Sequence, residues 1–272
     1  MNTTIILRGG LGNQMFQYAL ALALRAKGHR VRIDTTMYSI TQMHNGYELE
    51  RVFGIKEPKS PTNAFYCNYI RALSRFHPNC LVTADSLKYN EMFISNSKRY
   101  LDGYWQDERY FKDVEEQVRE AFVFQKIDEK NQYLAKEMVD GNSVSLHVRR
   151  GDYASFGMSM MGEEYYRNAV DYIMSCVETP HFYIFSDDVI AAEAMGEKIG
   201  VDYTLINHNK GQESYKDMYL MSQCKHNIIA NSSFSWWGAW LNMNREQIVI
   251  APIVWDVKRE GFHPQVTEWI LL

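Results

Sequence analysis

Two adjacent arginines are the residues whose type and spacing most directly suggest chemistry. Arg149 and Arg150 follow an apolar strand-like run, SVSLHV, and precede Asp152. Guanidinium forks bind phosphate oxygens through charge-assisted hydrogen bonds, each worth about 1.5–3 kcal/mol. At the carboxyl end of a parallel strand, the pair could bind a phosphorylated ligand or could form ion pairs at the surface. From position alone, both interpretations stay open.

A second candidate anion site lies in the segment NSSFSWWGAW, which follows another strand-like run, NIIA. Asn231 or Ser232 can cap a helix here, and Ser233 and Ser235 fall in its first turn. Free backbone N–H groups, serine hydroxyls and the helix dipole together favour a bound anion. An ordinary capped helix with its tryptophans in the core explains the same residues without a ligand.

Two adjacent carboxylates, Asp187 and Asp188, follow a third strand-like run, HFYIFS. Such a pair can bind a ribose, orient an arginine or cap the next helix, and capping is the simplest interpretation. No DxD pattern occurs anywhere in the sequence, so the chain lacks the alternating carboxylates that commonly hold a metal on a nucleotide diphosphate. A diphosphate would have to be neutralised by the arginines and by the helix that begins near Ser233.

The first 34 residues predict a strand, a glycine turn, a helix over about 14–27 and a second strand that ends at Asp34. The dinucleotide-binding motif G-x-G-x-x-G is incomplete, because Met15 stands where the third glycine would allow close packing of helix on strand. Asp34 nevertheless lies where an acid would bind a ribose. An oxidoreductase that uses NAD(P) is therefore one alternative interpretation.

The elements that must position these residues are strands that alternate with helices. In the second half of the chain, five strand-like runs alternate with four helical segments, which predicts a parallel α/β domain with helices on both faces. We predict two Rossmann-like domains, 1–140 and 141–272, with a helical run over 128–142 at their junction. An amphipathic helix is predicted over 107–122, whereas residues 35–100 show no interpretable pattern.

The composition excludes several classes of protein. Of the 272 residues, 46% are hydrophobic and 23% are charged, and the net charge of -4 argues against a general nucleic-acid binder. The four cysteines are scattered without metal-ligand spacing, which is typical of reduced thiols. No apolar run approaches the roughly 20 residues that span a bilayer, so we expect a cytoplasmic protein. Its substrate could still lie at a membrane surface.

Four motifs together resemble glycosyltransferase family 11, the α-1,2-fucosyltransferases, in their soluble bacterial form. They are GGLGNQMFQYA (9–19), HVRRGDY (147–153), FYIFSDD (182–188) and NSSFSWWGAW (231–240). The resemblance implies an α/β fold that is GT-B-like, with two Rossmann-type parallel-sheet domains facing a central cleft. It also implies inverting transfer of L-fucose from GDP-L-fucose to the 2-hydroxyl of a terminal β-galactoside, without metal or cofactor, as in polysaccharide or O-antigen biosynthesis. A non-catalytic sugar-binding protein is a further alternative.

The resemblance also implies roles for residues of the second domain, which would bind GDP-fucose. Arg149 would bind the β-phosphate and Arg150 would support it, while His147 and Asp217 would hydrogen-bond the guanine. The phosphates would also be contacted by the segment Ser232, Ser233, Phe234 and Ser235. Asp217 has a simpler interpretation as an exposed helix acid.

The general base is not assigned by the resemblance. Asp152 is an available carboxylate in the arginine loop, although it could instead hold the arginines in place. Related core fucosyltransferases carry a lysine after the corresponding aspartate, whereas Tyr153 stands here. Their base assignment therefore does not carry over to this chain.

The first domain would face the acceptor glycan. Gly10, Asn13 and Gln14 are expected to contact sugar hydroxyls, and Asp34 becomes a structural acid at a strand end. The segment from Tyr104 to Gln106 could line the acceptor site or lie in the core.

Overall fold

The computed structural model describes residues 2–40, 44–57, 81–83, 89–91, 100–150, 161–256, 264 and 266–272. The chain forms two compact units, Met1–Gln125 and Lys126–Leu272. The division precedes the helix that was expected at the junction, because this helix buries Ala135 and Met138 in the core of the second unit. The chain therefore passes from one unit to the other at residues 125–126.

The first unit contains a four-stranded parallel sheet in the order β2-β1-β4-β3. Its strands are β1 (Asn2–Ile6), β2 (Arg30–Asp34), β3 (Leu81–Thr83) and β4 (Tyr100–Asp102). Its helices are α1 (Leu11–Ala26), α2 (Met37–Ile40), α3 (Leu49–Phe53) and α4 (Glu115–Ala121). The predicted strand–helix–strand unit at the start of the chain is present, and Met15 of α1 is fully buried in its core.

The segment over 107–122 is not the single helix that its periodicity predicts. Two 3₁₀ turns, Glu108–Tyr110 and Lys112–Val114, precede α4. Phe111, between the two turns, has a non-helical φ of -134°, which interrupts the helical hydrogen-bond ladder. The apolar residues predicted to share one face are nonetheless buried, namely Phe111, Val114, Val118 and Phe122.

The second unit contains a six-stranded parallel sheet in the order β10-β9-β8-β5-β6-β7. Its strands are β5 (Ser143–Val148), β6 (His181–Ser186), β7 (Tyr203–Ile206), β8 (His226–Ile228), β9 (Val249–Ala251) and β10 (Ile270–Leu271). Its helices are α5 (Glu129–Asp140), α6 (Glu163–Cys176), α7 (Val189–Ile199), α8 (Tyr215–Gln223) and α9 (Ser233–Trp240). The sequence predicts five of these strands and misses the two-residue β10.

Helices cover both faces of the second sheet, as predicted. Phe182 and Ile184 of β6 pack in a cluster with residues of α6 and α7. The alternate residues Tyr183 and Phe185 pack in another cluster with residues of α5 and α8. Successive strand residues point to opposite faces, so these two clusters lie on opposite sides of the sheet.

Each sheet has a topological switch point, which lies between two adjacent strands whose connections run to opposite sides of the sheet. In the first unit it lies between β1 and β4, and in the second between β5 and β8. Ligands of open parallel sheets bind beyond the carboxyl ends of the strands at such points. The loops after these four strands are therefore where a site is expected.

Candidate active site

His147 lies near the carboxyl end of β5, at the switch point of the second unit. Strand alternation turns its side chain away from Leu146 and Val148, and its ring centroid lies 6.2 Å from that of Phe234. Burial and the nearby charge of Arg149 hold the pKa of His147 well below its usual range, so the imidazole is neutral. Its buried Nδ1 has no hydrogen-bond partner within the part of the chain that the structure describes.

Asp187 organises the arginine loop. The register of β5 and β6 pairs Val148 with Ser186, which brings the residues after both strands together. The Arg149 Nη1 atom lies 2.9 Å from Asp187 Oδ2, and the backbone N–H of Arg150 donates to Asp187 Oδ1 at 3.1 Å. One carboxylate therefore holds the guanidinium of one arginine and the backbone of the next.

The adjacent Asp188 has a different role. Its Oδ1 accepts from the backbone N–H of Ala191 at 3.0 Å and so caps α7. The two interpretations of this acidic pair, helix capping and arginine orientation, therefore hold for different members. Asp187 is absent from the predicted site residues, and the signal that could have identified it is the pairing of β5 with β6. The candidate base Asp152 lies outside the described residues, as does Tyr153.

The N-terminus of α9 has hydrogen-bond donors that no described residue engages. Ser232 caps the helix by accepting from the N–H of Phe234 at 3.3 Å, and the Ser235 hydroxyl donates to the Ser232 carbonyl at 3.4 Å. The backbone N–H groups of Ser233 and Ser235, and the Ser233 hydroxyl, bond to no atom of the described residues. Together with the helix dipole, these donors suit an anion.

Asp217 lies in the first turn of α8, which packs closely on α9: a Cβ added at Gly238 would lie 2.8 Å from the Cβ of Met221. The carboxylate is partly buried rather than exposed, and its Oδ1 accepts from Asn209 Nδ2 at 2.8 Å. Burial raises the pKa of Asp217 to about 7. The interpretation of this residue as an ordinary exposed helix acid is therefore wrong.

The glycine loop of the first unit lies at the switch point between β1 and β4. Gly9 has a φ of +82°, and a Cβ added there would lie 2.5 Å from Asn13 Nδ2, so a larger residue would be strained and would displace the Asn13 side chain. The Gly10 carbonyl accepts from the N–H groups of Asn13 and Gln14 as α1 begins. Asn13 Oδ1 accepts from Gln106 Nε2 at 2.6 Å, which joins the loops after β1 and β4.

Gln14 is fully buried and joins three segments of the first unit. Its Nε2 donates to the carbonyls of Gly9 at 3.2 Å and Gly46 at 2.9 Å, and its Oε1 accepts from the N–H of Glu48 at 2.9 Å. Both N–H donors of the amide are thus in use and the side chain is fully buried, which disfavours the contact with a sugar hydroxyl that was predicted for this residue.

The loop after β4 has one residue in a strained conformation. Trp105 adopts a φ of +54° and is buried, which places it in the core. Its partly buried neighbours are Tyr104, whose ring lies 4.8 Å from the Arg8 guanidinium carbon, and Gln106. Asp34 is buried and accepts from the N–H of Thr36 at 2.9 Å, which fits a structural acid.

The residues that the structure describes contain neither a metal-binding cluster nor a membrane-spanning helix. No group of three or more His, Cys, Asp or Glu side chains could hold a metal ion there. Within the same ranges, the helices are too short or too polar to cross a bilayer.

Comparison with known proteins identifies relatives over most of the chain. It is 33% identical over 280 residues to an α-1,2-colitosyltransferase of Escherichia coli, covering 97% of this chain and 96% of the relative. It is 31% identical over 308 residues to the O-antigen biosynthesis glycosyltransferase WbnK of Escherichia coli, covering 98% and 99%. It is 26% identical over 252 residues to the galactoside α-(1,2)-fucosyltransferase 1 of Pan troglodytes, covering 88% and 64%.

Among solved structures, the chain is similar to the Bradyrhizobium NodZ α-1,6-fucosyltransferase soaked with GDP-fucose. The TM-score is 0.55 at 15% identity, and the match covers 89% of this chain and 93% of the other. Two Rossmann-type parallel-sheet units in one chain therefore form a GT-B-like α/β fold, as predicted.

The family model described as glycosyl transferase family 11 matches residues 1–270. This match spans both units and includes all four motifs on which the resemblance rested. It excludes the oxidoreductase alternative, since the glycine loop belongs to a glycosyltransferase unit. The chain therefore belongs to glycosyl transferase family 11 and is a glycosyltransferase.

Proposed function

We propose that the protein transfers L-fucose from GDP-L-fucose to the 2-hydroxyl of a terminal β-galactoside in a glycan, with inversion and without a metal ion. The observation that carries the proposal is that Arg149 and the N-terminus of α9 follow two neighbouring parallel strands, β5 and β8, at the same edge of the sheet. A guanidinium fork and helix N–H groups at one sheet edge suit a diphosphate. The α-1,2 linkage in the names of two relatives supports this acceptor position.

The second unit binds the donor. Arg149 binds the β-phosphate, and the N–H groups of Ser233 and Ser235 bind phosphate oxygens together with the Ser233 hydroxyl. The neutral His147 has a free Nδ1, and Asp217 has a carboxylate oxygen to offer, so both can hydrogen-bond the guanine. Arg150 contributes through the backbone that Asp187 holds in place.

Catalysis follows from the charge that develops when the bond between fucose and GDP breaks. Positive charge accumulates on the sugar and negative charge on the departing diphosphate. The donors aimed at that diphosphate interact more strongly with the transition state than with the bound substrate, which lowers the barrier. The ion pair with Asp187 holds the Arg149 side chain in one arrangement before the reaction. Asp152 is the candidate base for the acceptor hydroxyl.

The first unit binds the acceptor sugar through its own switch point. The hydrogen-bonded pair of Asn13 and Gln106 places two amide groups at the ends of β1 and β4, where they can bind sugar hydroxyls. Gly10 brings the backbone close to the same point, because it begins α1 without a side chain.

A second candidate donor is GDP-colitose. Colitose is L-fucose without its 3-hydroxyl, and the E. coli relative at 33% identity is a colitosyltransferase. The same phosphate and guanine contacts serve either donor, since the two differ only on the sugar ring.

Assays with both donors test the proposed function. Purified protein is incubated with GDP-L-fucose or GDP-colitose and with lactose, type 1 or type 3 chain disaccharides, and the product linkage is determined by NMR. We expect an α-1,2-fucosylated galactose. Transfer from GDP-colitose alone would establish the second candidate, and no transfer or hydrolysis of either donor would overturn both.

Chelation is expected to leave the transfer rate unchanged. The positive charge opposite the diphosphate is supplied by Arg149 and the helix dipole of α9. Initial rates in excess EDTA and in added Mn²⁺ measure this, with a metal-dependent glycosyltransferase as the control. A strict requirement for Mn²⁺ would contradict the metal-free mechanism.

A further inference from the structure

We propose that Asn209 is a positioning residue, which orients Asp217 as an acceptor for the N–H groups of guanine and so makes the donor site prefer guanine over adenine. The proposal rests on the proposed use of a GDP-sugar. Asn209 lies in the loop after β7, and Asp217 lies in the first turn of α8.

Two buried asparagine side chains form a row of hydrogen bonds that ends at Asp217. Asn131, near the start of α5, and Asn209 form a reciprocal pair: Asn131 Nδ2 donates to Asn209 Oδ1 at 3.1 Å, and Asn209 Nδ2 donates to Asn131 Oδ1 at 3.0 Å. Their exposed fractions are 1% and 7%. Asn209 Nδ2 also donates to Asp217 Oδ1 at 2.8 Å. Two buried amides are thus committed to holding one partly buried carboxylate.

Asp128, at the other end of this row of hydrogen bonds, determines which way each amide is oriented. Asp128 caps α5, and its Oδ2 lies 2.7 Å from Lys216 Nζ, which holds the pKa of Asp128 well below its usual range. An ionised carboxylate only accepts, so Asn131 must turn its Nδ2 toward Asp128, at 2.8 Å. Asn131 Oδ1 then faces Asn209 and requires a donor there. The Nδ2 of Asn209, rather than its oxygen, therefore faces Asp217.

This orientation favours one kind of base. The donor from Asn209 stabilises the ionised form of Asp217, and Oδ2 of Asp217 accepts from no atom of the described residues. Guanine presents two adjacent donors, N1–H and the 2-amino group, which match an ionised carboxylate. Adenine presents an N1 acceptor at the same place, which would face a negative oxygen.

The charges around Asp217 make the contact sensitive to pH. Burial raises the pKa of Asp217 to about 7, while the Asn209 hydrogen bond and the charge of Lys210 oppose the rise. Lys216, on the same helix, is engaged by Asp128 and Glu213. Burial lowers the pKa of His208, which bonds to Asn131 Oδ1. Affinity for guanine is therefore expected to fall as the pH falls below about 7.

The Asn209→Ala variant tests the proposal. Dissociation constants for GDP and ADP, measured by calorimetry, should show about a tenfold loss of GDP affinity and a smaller preference over ADP. The KM for GDP-L-fucose should rise with little change in kcat. The pH below which GDP affinity falls should rise, because loss of the hydrogen bond from Asn209 raises the pKa of Asp217. A purely structural role of Asn209 would not change this pH.

Matched variants separate the possible outcomes. Asn142→Ala removes an exposed asparagine of the same unit, which bonds to the Glu178 carbonyl, and should leave GDP binding unchanged. Asn131→Ala should also weaken GDP binding. Circular dichroism shows whether each variant is folded. If Asp217→Ala weakens GDP binding but Asn209→Ala and Asn131→Ala do not, the positioning role is overturned alone. If Asp217→Ala binds GDP normally, the guanine contact in the proposed function fails as well.

Discussion

Arg149→Ala is expected to lower kcat/KM for transfer from GDP-fucose by about 10³-fold or more, with the fold intact. The guanidinium follows β5 directly. In the proposed function, its charge opposes the negative charge that develops on the departing diphosphate. A neutral methyl group leaves that charge to the helix N–H groups alone. Initial rates at subsaturating donor, with circular dichroism of both proteins, measure the effect.

Three further variants make this result specific. Arg167→Ala removes another arginine of the same unit, exposed on α6 and paired with Glu163, and should leave the rate unchanged. Arg149→Lys keeps the charge but loses the planar fork, so its rate should lie between those of the wild type and Arg149→Ala. Asp187→Asn should reduce the rate less than Arg149→Ala, because it loosens the arginine without removing it. Full activity of Arg149→Ala would remove this residue from the mechanism.

Gln14→Leu is expected to destabilise the first unit by about 3 kcal/mol or more. The substitution replaces the amide with an apolar side chain and leaves the Gly46 carbonyl and the N–H of Glu48 without this partner. The Gly9 carbonyl keeps its bond from the Tyr38 hydroxyl at 2.7 Å. Each buried group that loses its bond costs about 1–3 kcal/mol. Urea unfolding, followed by a signal from the first unit, measures the change in the free energy of unfolding.

Asn13→Ala is the matched control for Gln14→Leu. The Asn13 side chain is only partly buried and loses one hydrogen bond, to Gln106, so the destabilisation should be about 1 kcal/mol. In the proposed function, the main effect of Asn13→Ala should be a higher KM for the acceptor. A Gln14→Leu protein as stable as the wild type, but with a raised acceptor KM, would restore the predicted sugar contact of Gln14 and contradict its structural role.

Much of the fold could be predicted because its signals are local. The alternation of apolar runs and helical periodicity identified β1, α1 and β2, and also five of the six strands of the second sheet. Periodicity failed over 107–122, where the apolar spacing is helical but the backbone at Phe111 is not. It also gave no signal for β10, which has two residues.

The site could be predicted less completely, since its contacts are not local. The pairing of β6 with β5 determines that Asp187, rather than Asp188, holds an arginine. The sequence of neither strand shows which strand it pairs with. The burial of Gln14 depends on Gly46 and Glu48, in a segment whose sequence pattern was not interpretable. The partner of Asp217 lies eight residues earlier, and that partner's own support comes from Asn131.

The ion pair at the end of β5 has a consequence for temperature. An arginine side chain carries about 2 kcal/mol of rotamer entropy, which is lost when its guanidinium is fixed. Here the pairing of β5 with β6 places Asp187 against Arg149, so part of that entropy is lost during folding. In the proposed function, this part is then not lost again when the donor binds. Fraying at the end of β6 would return this freedom to Arg149. Warming short of unfolding would then weaken donor affinity before it lowers the turnover of the donor that is bound.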